Sequence, residues 1–147
     1  MGSESQLDKP AWLLFILTLQ GQQPAVRMRI WRALKALGTA VLRDGVYMLP
    51  HKDEFIPALQ AQSDEVTQSG GNAQILEINA RDQEQAAEFR QLFDRTADYE
   101  KLIADIRGTR KSISRLNEDV LSPRLSRLAR DFETIALQDF FPGAARE

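Results

Sequence analysis

Residues 27–50 read RMRIWRALKALGTAVLRDGVYMLP, a pattern that predicts a basic amphipathic helix followed by two short strands. Pro24 marks the start of the helix, where the missing N–H of proline has no cost. Gly38 ends the helix, because glycine readily takes the left-handed conformation of a helix C-terminus. The pair Asp44-Gly45 between the strands predicts a type I′ hairpin turn, since both residues tolerate positive φ.

The helix within this stretch has two distinct faces. Apolar residues recur at helical spacing and predict one buried stripe: Val26, Ile30, Ala33, Leu34 and Leu37. Arg29, Arg32 and Lys35 follow one another at intervals of three and lie on a neighbouring face. Trp31 has two interpretations, a core residue or an exposed platform, and we expect the core. A row of cations beside a rigid hairpin suits an anion, and nucleic acid is the first anion to consider.

The first 81 residues alternate between strand and helix patterns. Four apolar or alternating segments predict strands, at 12–19, 39–44, 46–50 and 73–80. A second helix is expected from Glu54 to Ser69, capped by Asp53 and ended by Gly70-Gly71. The order βαββαβ predicts an α+β, ferredoxin-like fold, in which a four-stranded antiparallel sheet carries two helices on one face.

The remainder of the chain has helical periodicity. One long amphipathic helix is expected from Asp82 to Ile113, and a second helix is expected to begin with Ser122 as its cap and Pro123 in its first turn. Joined near residues 117–121, the two helices predict an antiparallel hairpin whose closing phenylalanines, Phe140 and Phe141, fold back onto an apolar surface. The expected organisation is a disordered tail (1–10), a ferredoxin-like domain (11–81) and a helical hairpin extension (82–147).

Composition excludes several classes of function. The chain has 147 residues, a formal net charge of -2 and no cysteine. Disulfides, thiolate catalysis and zinc–cysteine sites are therefore excluded, and a cytoplasmic location is expected. The apolar run of residues 12–19 is too short to span a bilayer, so no membrane association is expected. Because the total charge is slightly negative, nucleic-acid binding requires local clusters of cations.

Catalytic patterns are sparse. His51 is the only histidine and lies in a polar loop, where we expect it to be solvated. No phosphate-binding glycine loop or nucleophile elbow appears, and the acidic residues of the long helix lie among Arg95 and Lys101 as a solvated face. We therefore expect no catalytic residues, no metal, no cofactor and no enzymatic activity.

Basic residues form two clusters. We interpret them as DNA- or anion-binding residues: Arg27, Arg29, Arg32, Lys35 and Arg43 in the first half, and Arg107, Arg110, Lys111 and Arg115 near the tip of the helical hairpin. The alternative is a solubilising surface in which the first cluster pairs with Asp44, Glu77 or the acidic helical face.

The runs WLLFILTL (12–19), PAVRMRIWRALKALGTAVLRDGVYMLP (24–50), GGNAQILEINA (70–80) and QDFFPG (138–143) resemble the N-terminal domain of the ChrB chromate-resistance regulatory proteins. The core is also similar to the central ferredoxin-like domain of PaaX repressors. More remotely, it looks like CRISPR-associated ferredoxin-like nucleases, which hold a metal through an aspartate at the end of the first strand. Here that strand ends in Leu19-Gln20, which argues against nuclease activity.

The ChrB resemblance implies a non-enzymatic transcriptional regulator that binds promoter DNA as a homodimer in chromate resistance. It implies the chromate oxyanion as a further partner, sensed by this half or by a C-terminal domain beyond it. Two alternatives stay open, a protein-interaction module without DNA binding and a degenerate nuclease.

Overall fold

A computed structural model describes residues 10–113 and 118–142, and it has an α+β arrangement. The strands are β1 (Trp12–Thr18), β2 (Ala40–Arg43), β3 (Val46–Pro50) and β4 (Asn72–Ile78), and the helices are α1 (Pro24–Leu37), α2 (Phe55–Gln68), α3 (Gln83–Gln91), α4 (Thr96–Ser112) and α5 (Glu118–Gln138). The expected α+β class and the four-stranded antiparallel sheet are confirmed. The predicted tail lies, apart from Pro10, outside the described residues.

The sheet has the strand order β2-β3-β1-β4, and every neighbouring pair is antiparallel. β1 therefore has a partner on each edge, and both of its faces carry buried side chains, because α2 packs on the sheet and Trp12 meets Phe89. Its side chains Leu13 and Phe15 are 0% and 1% exposed. Helix α2 packs on β1 and β4 through Phe55, Leu59 and Val66, and α1 lies against α2. The core thus lies between β1 and these helices.

The hairpin between β2 and β3 turns at Asp44-Gly45, as predicted, but the turn type was wrong. Gly45 has a φ of 77°, whereas φ of Asp44 is not positive, so the turn is not type I′. The pairing register instead shifts between Val41 and Arg43, which accommodates the different geometry. The carbonyl of Gly45 accepts a hydrogen bond of 2.9 Å from the Leu17 N–H. The turn is therefore fixed against the end of β1.

Helix α2 does not use the predicted cap. It begins at Phe55, and its N-cap residue Glu54 makes no side-chain capping hydrogen bond. The backbone provides the first bonds instead, since the carbonyls of Lys52 and Asp53 accept from the N–H groups of Phe55 and Ile56 at 3.0 and 3.2 Å. The expected role of Asp53 was wrong because a backbone turn satisfies these donors.

The expected single helix from Asp82 to Ile113 was wrong, because α3 ends at Gln91 and α4 begins at Thr96. Asp94 causes the interruption. Its carboxylate accepts from both the N–H and the hydroxyl of Thr96, at 2.9 and 2.6 Å, and this local turn competes with a continuous helix. A first compact unit extends to Leu92. Within it, Phe89 of α3 packs edge-on against Trp12, with ring centroids 5.6 Å apart.

The second compact unit begins at Phe93 and contains α4 and α5, which pack against each other. Tyr99 near the start of α4 lies 6.2 Å from the Phe132 ring, and its hydroxyl donates to Asp139 at 3.1 Å. Both Tyr99 and Asp139 are buried. The early part of α4 therefore contacts the late part of α5, whereas most of the predicted connection, 117–121, now belongs to α5 from Glu118.

The ends of this unit contain one confirmed and one wrong prediction. Phe140 and Phe141 fold back onto the fully buried Phe93, at centroid distances of 5.7 and 6.0 Å, as expected. Pro123 lies inside α5 rather than in its first turn. Glu118 and Asp119 lie in the first turn of α5, where their negative charge interacts favourably with the positive N-terminal end of the helix. Within the described residues, no helix is long and apolar enough to cross a bilayer.

Candidate nucleic-acid interface and an adjoining pocket

Helix α1 is anchored by its apolar stripe, and this anchoring determines which side chains face solvent. Ile30 and Leu34 are buried, at 2% and 0% exposure, and Gly38 ends the helix with a φ of 89°. The N–H of Gly38 reaches the carbonyls of Leu34 and Lys35. The predicted stripe is thus confirmed at Ile30 and Leu34, and its other members, Val26, Ala33 and Leu37, are half-buried. The opposite side of α1 is consequently available to a partner.

The cations of α1 lie on different flanks of the helix. A residue advances by about 100° around an α-helix, so Arg27 and Arg29 point about 160° apart. Arg29 forms an ion pair with Glu65 of α2, and Arg27 lies toward the turn of the hairpin. Arg32 and Lys35 occupy the solvent side between them, where both are exposed. The structure therefore does not bring all predicted cations of α1 onto one surface.

Trp31 was expected in the core, and this expectation was wrong. Its side chain is 42% exposed, and the Lys35 ammonium lies 4.8 Å from the centre of its ring. Ile30 already fills the buried position beside it, which turns Trp31 outward. Arg27, Trp31 and Lys35 are four residues apart and form one row along the helix. This spacing was the signal in the sequence for an exposed aromatic ring among cations.

The remaining predicted cations lie elsewhere. Arg43 is exposed at the end of β2, an edge strand of the sheet. Arg107, Arg110 and Lys111 are exposed in the last turns of α4, where cations also interact favourably with the helix C-terminus. Arg115 lies outside the described residues. A role in anion binding stays a prediction for all of these residues.

Asp44 and Glu77 were the alternative partners expected for the cations, but Arg29 forms its ion pair with Glu65. Glu77 instead accepts a hydrogen bond of 2.8 Å from the Nε2 of His51. The side chain of His51 is only 9% exposed, so the expectation of a solvated histidine was wrong. The backbone N–H of His51 donates to the Ala11 carbonyl, which holds this residue beside the start of β1. No cluster of three metal-ligating side chains occurs within residues 10–113 and 118–142.

A pocket of about 650 Å³ adjoins the basic helix, and sequence reasoning did not find it. Its walls come from the end of β1, the first turns of α1 and the β2–β3 turn. The apolar part consists mainly of Leu17, Pro24, Met28, Ile30 and Trp31. The polar groups come from Arg27, Asp44 and Tyr47. Met28 and Trp31 are 47% and 42% exposed, so the pocket is open to solvent.

The pKa of the Tyr47 hydroxyl depends on the charged groups of this pocket. Burial, and secondarily the negative charge of Asp44, raise the pKa of the Tyr47 hydroxyl above its ordinary value, whereas the positive charge of Arg27 acts in the opposite direction. Both charged groups therefore lie near the hydroxyl. The Arg27 guanidinium donates a long hydrogen bond of 3.5 Å to the carbonyl of Leu19. Its charge is not neutralised by an ion pair among the described residues.

Comparison with known proteins places this architecture in a family. The family described as "Protein ChrB, N-terminal" matches residues 27–119. The chain belongs to this family. The expected ChrB resemblance is thereby confirmed, and the matched region includes the basic residues of α1, the hairpin and α2. The curated Protein ChrB of Cupriavidus metallidurans is 36% identical over 135 residues, which are 92% of this chain and 42% of that protein. The chain thus spans less than half the length of this relative, and no solved structure matches it.

Proposed function

We propose that this chain is the DNA-binding part of a ChrB-type regulator of chromate resistance. Membership of the ChrB N-terminal family supports the regulatory role. We further propose that it acts in the cytoplasm as a homodimer, without catalytic activity, and that the chromate oxyanion is a partner of the whole regulator. Promoter DNA is the macromolecular partner in this proposal.

The observation that carries the proposal is the solvent side of α1. Arg32 and Lys35 are exposed there, and Trp31 presents part of its ring between them and the pocket. Arginine and lysine bind phosphates and provide most of the affinity for duplex DNA. Arg29 contributes less, because Glu65 already neutralises part of its charge.

The finer features of the fold belong to the same proposal. We infer a ferredoxin-like core, because the strand order β2-β3-β1-β4 and the helices after β1 and β3 are those of a βαββαβ unit. We also infer an antiparallel hairpin of α4 and α5, supported by the contacts of Tyr99 with Phe132 and Asp139.

A protein-interaction module is the second candidate function, and one observation favours it. Large apolar side chains are exposed along α4 and α5: Ile103, Ile106, Leu125, Phe132 and Leu137, which is 79% exposed. Exposed apolar side chains that lie together mark docking surfaces for other proteins. In this alternative the arginines only keep the surface soluble.

Binding to promoter DNA across a salt series separates the two functions. A labelled fragment from the promoter of a chromate-resistance operon is titrated with the chain, and fluorescence anisotropy gives the association constant. If about four cations contact phosphates, log K falls with log salt with a slope of roughly -3 to -4. An absence of binding at low salt contradicts the DNA proposal and leaves the interaction module. Unrelated DNA of equal length serves as the control for sequence preference.

A further inference from the structure

The pocket beside α1 has the size and composition of a small-molecule site. Its volume of about 650 Å³ falls within the roughly 300–1,000 Å³ typical of ligand pockets. Most of its lining is apolar, from Leu17, Pro24, Met28 and Ile30, and Trp31 adds an aromatic wall. Such walls favour a ligand with an apolar body, because its surface leaves water on binding. They are unsuited to a small inorganic ion.

The polar groups of the pocket have opposite charges. Arg27 contributes a guanidinium from the first turns of α1, and Asp44 contributes a carboxylate from the β2–β3 turn. The two groups do not form an ion pair with each other, since no pair between them occurs among the described residues. Asp44 raises the pKa of the Tyr47 hydroxyl and Arg27 lowers it, so this hydroxyl lies close to both charges. The pocket therefore holds a separate cation and anion around a neutral donor.

The positions of Arg27 and Asp44 determine which ligand charges fit the pocket. A simple anion would be attracted to Arg27 and repelled by Asp44, and a simple cation would meet the reverse. A molecule with both an anionic and a cationic group can satisfy the two residues together. The apolar walls require that the rest of this molecule be apolar. A free amino acid with a large apolar or aromatic side chain combines these properties.

We propose that this pocket binds a zwitterionic amino acid whose side chain is aromatic or bulky and apolar. The carboxylate binds the Arg27 guanidinium, which accommodates planar carboxylates in a two-pronged geometry. The ammonium group binds Asp44, and the Tyr47 hydroxyl lies beside both polar groups. The apolar side chain of the bound amino acid packs against Met28 and Trp31. This inference does not depend on DNA binding, because none of these contacts requires nucleic acid.

Three small molecules test the proposal on the unaltered chain. The first is L-phenylalanine, the second is 2-phenylethylamine, which lacks the carboxylate, and the third is 3-phenylpropionate, which lacks the ammonium group. Binding is followed by NMR of the two tryptophan indole N–H groups. Trp31 lines the pocket, whereas Trp12 is 4% exposed and packs on Phe89, so only the Trp31 signal is expected to shift. Each hydrogen bond to a charged group contributes enough for about a tenfold or greater preference for L-phenylalanine over either analogue.

Two charge-neutral variants assign each ligand group to its residue. Arg27→Gln is expected to remove the preference for L-phenylalanine over 2-phenylethylamine, and Asp44→Asn the preference over 3-phenylpropionate. Arg90→Gln and Asp53→Asn are the matched controls, since both residues are exposed and neither lines the pocket. Both controls should bind all three molecules like the unaltered chain.

Three results would overturn the proposal. These are equal binding of all three molecules, a Kd for L-phenylalanine weaker than about 10 mM, and a shift of Trp12 instead of Trp31. All three are measured on the unaltered chain, so they decide the question even where a variant folds poorly. Because no arm contains DNA, failure here is distinguishable from failure of the proposed DNA binding.

Discussion

Gly45 offers the sharpest test of how the hairpin is fixed to the sheet, because two separate penalties meet there. Its φ of 77° is a conformation that costs an L-residue roughly 1–2 kcal/mol. A Cβ at this position would also lie 2.8 Å from the backbone carbonyl oxygen of Leu17 in β1. That oxygen belongs to a central strand and cannot move freely, and such overpacking typically costs about 1–3 kcal/mol. Gly45→Ala should therefore destabilise the chain by roughly 3 kcal/mol.

The chain supplies a matched control for this substitution. Gly21 has a φ of 64°, and no atom of the described residues lies within 4 Å of a Cβ at this position, so Gly21→Ala has the backbone penalty alone. Thermal unfolding by circular dichroism measures both variants. At about 4–8 °C per kcal/mol for a unit of this size, Gly45→Ala should lower Tm by roughly 15 °C and Gly21→Ala by roughly 5–10 °C. Equal losses for the two variants would refute the close approach of the turn to β1.

Three further predictions concern single side chains. Tyr99→Phe should lower the free energy of unfolding by about 1–3 kcal/mol in chemical denaturation, because the buried Asp139 loses its hydroxyl partner; an unchanged value would contradict that bond. Phe93→Ala should cost about 3–5 kcal/mol, since this ring is fully buried against the closing phenylalanines, and a loss below 1 kcal/mol would be inconsistent with that packing. The raised pKa of Tyr47 stabilises the fold below about pH 10, and this contribution is lost as pH rises through the folded pKa. From pH 9 upward, the free energy of unfolding should thus fall more steeply for the unaltered chain than for Tyr47→Phe. Parallel pH dependences of the two proteins would contradict a raised pKa of Tyr47.

Features determined by local sequence were predictable. The apolar run of β1, the Asp44-Gly45 turn and the apolar stripe of α1 each depend on residues near one another in the chain. Their positions followed from periodicity and turn chemistry alone. The turn type did not, because the register shift between Val41 and Arg43 depends on how the whole hairpin meets β1.

Features determined by competition between patterns were missed. The apolar spacing of residues 82–113 continues across Asp94, but the hydrogen bonds of Asp94 to Thr96 interrupt the helix. Likewise, Ser122-Pro123 is a good cap signal, yet the helix begins earlier at Glu118. A strong local signal can thus be overridden by a neighbouring one.

The candidate site was only partly visible in the sequence. The cations of α1 could be identified, but their distribution over flanks of the helix depends on Glu65 of α2 and on the hairpin turn. The pocket joins Leu17, Arg27 and Tyr47, which are distant in sequence and meet only after the sheet forms. The spacing of Arg27, Trp31 and Lys35 was available in advance as a clue to the exposed ring.

The salt dependence of DNA binding by a double variant tests the central claim most directly. Arg32→Ala/Lys35→Ala removes the two cations on the solvent side of α1, and Arg90→Ala/Lys101→Ala removes two exposed cations elsewhere. The account predicts that the first variant binds promoter and unrelated DNA more weakly and that its slope of log K against log salt is less steep by about two. The second variant should keep the original slope. Equal slopes for the unaltered chain and the Arg32/Lys35 variant, with both folded, would contradict the assignment of α1 as the DNA-binding surface.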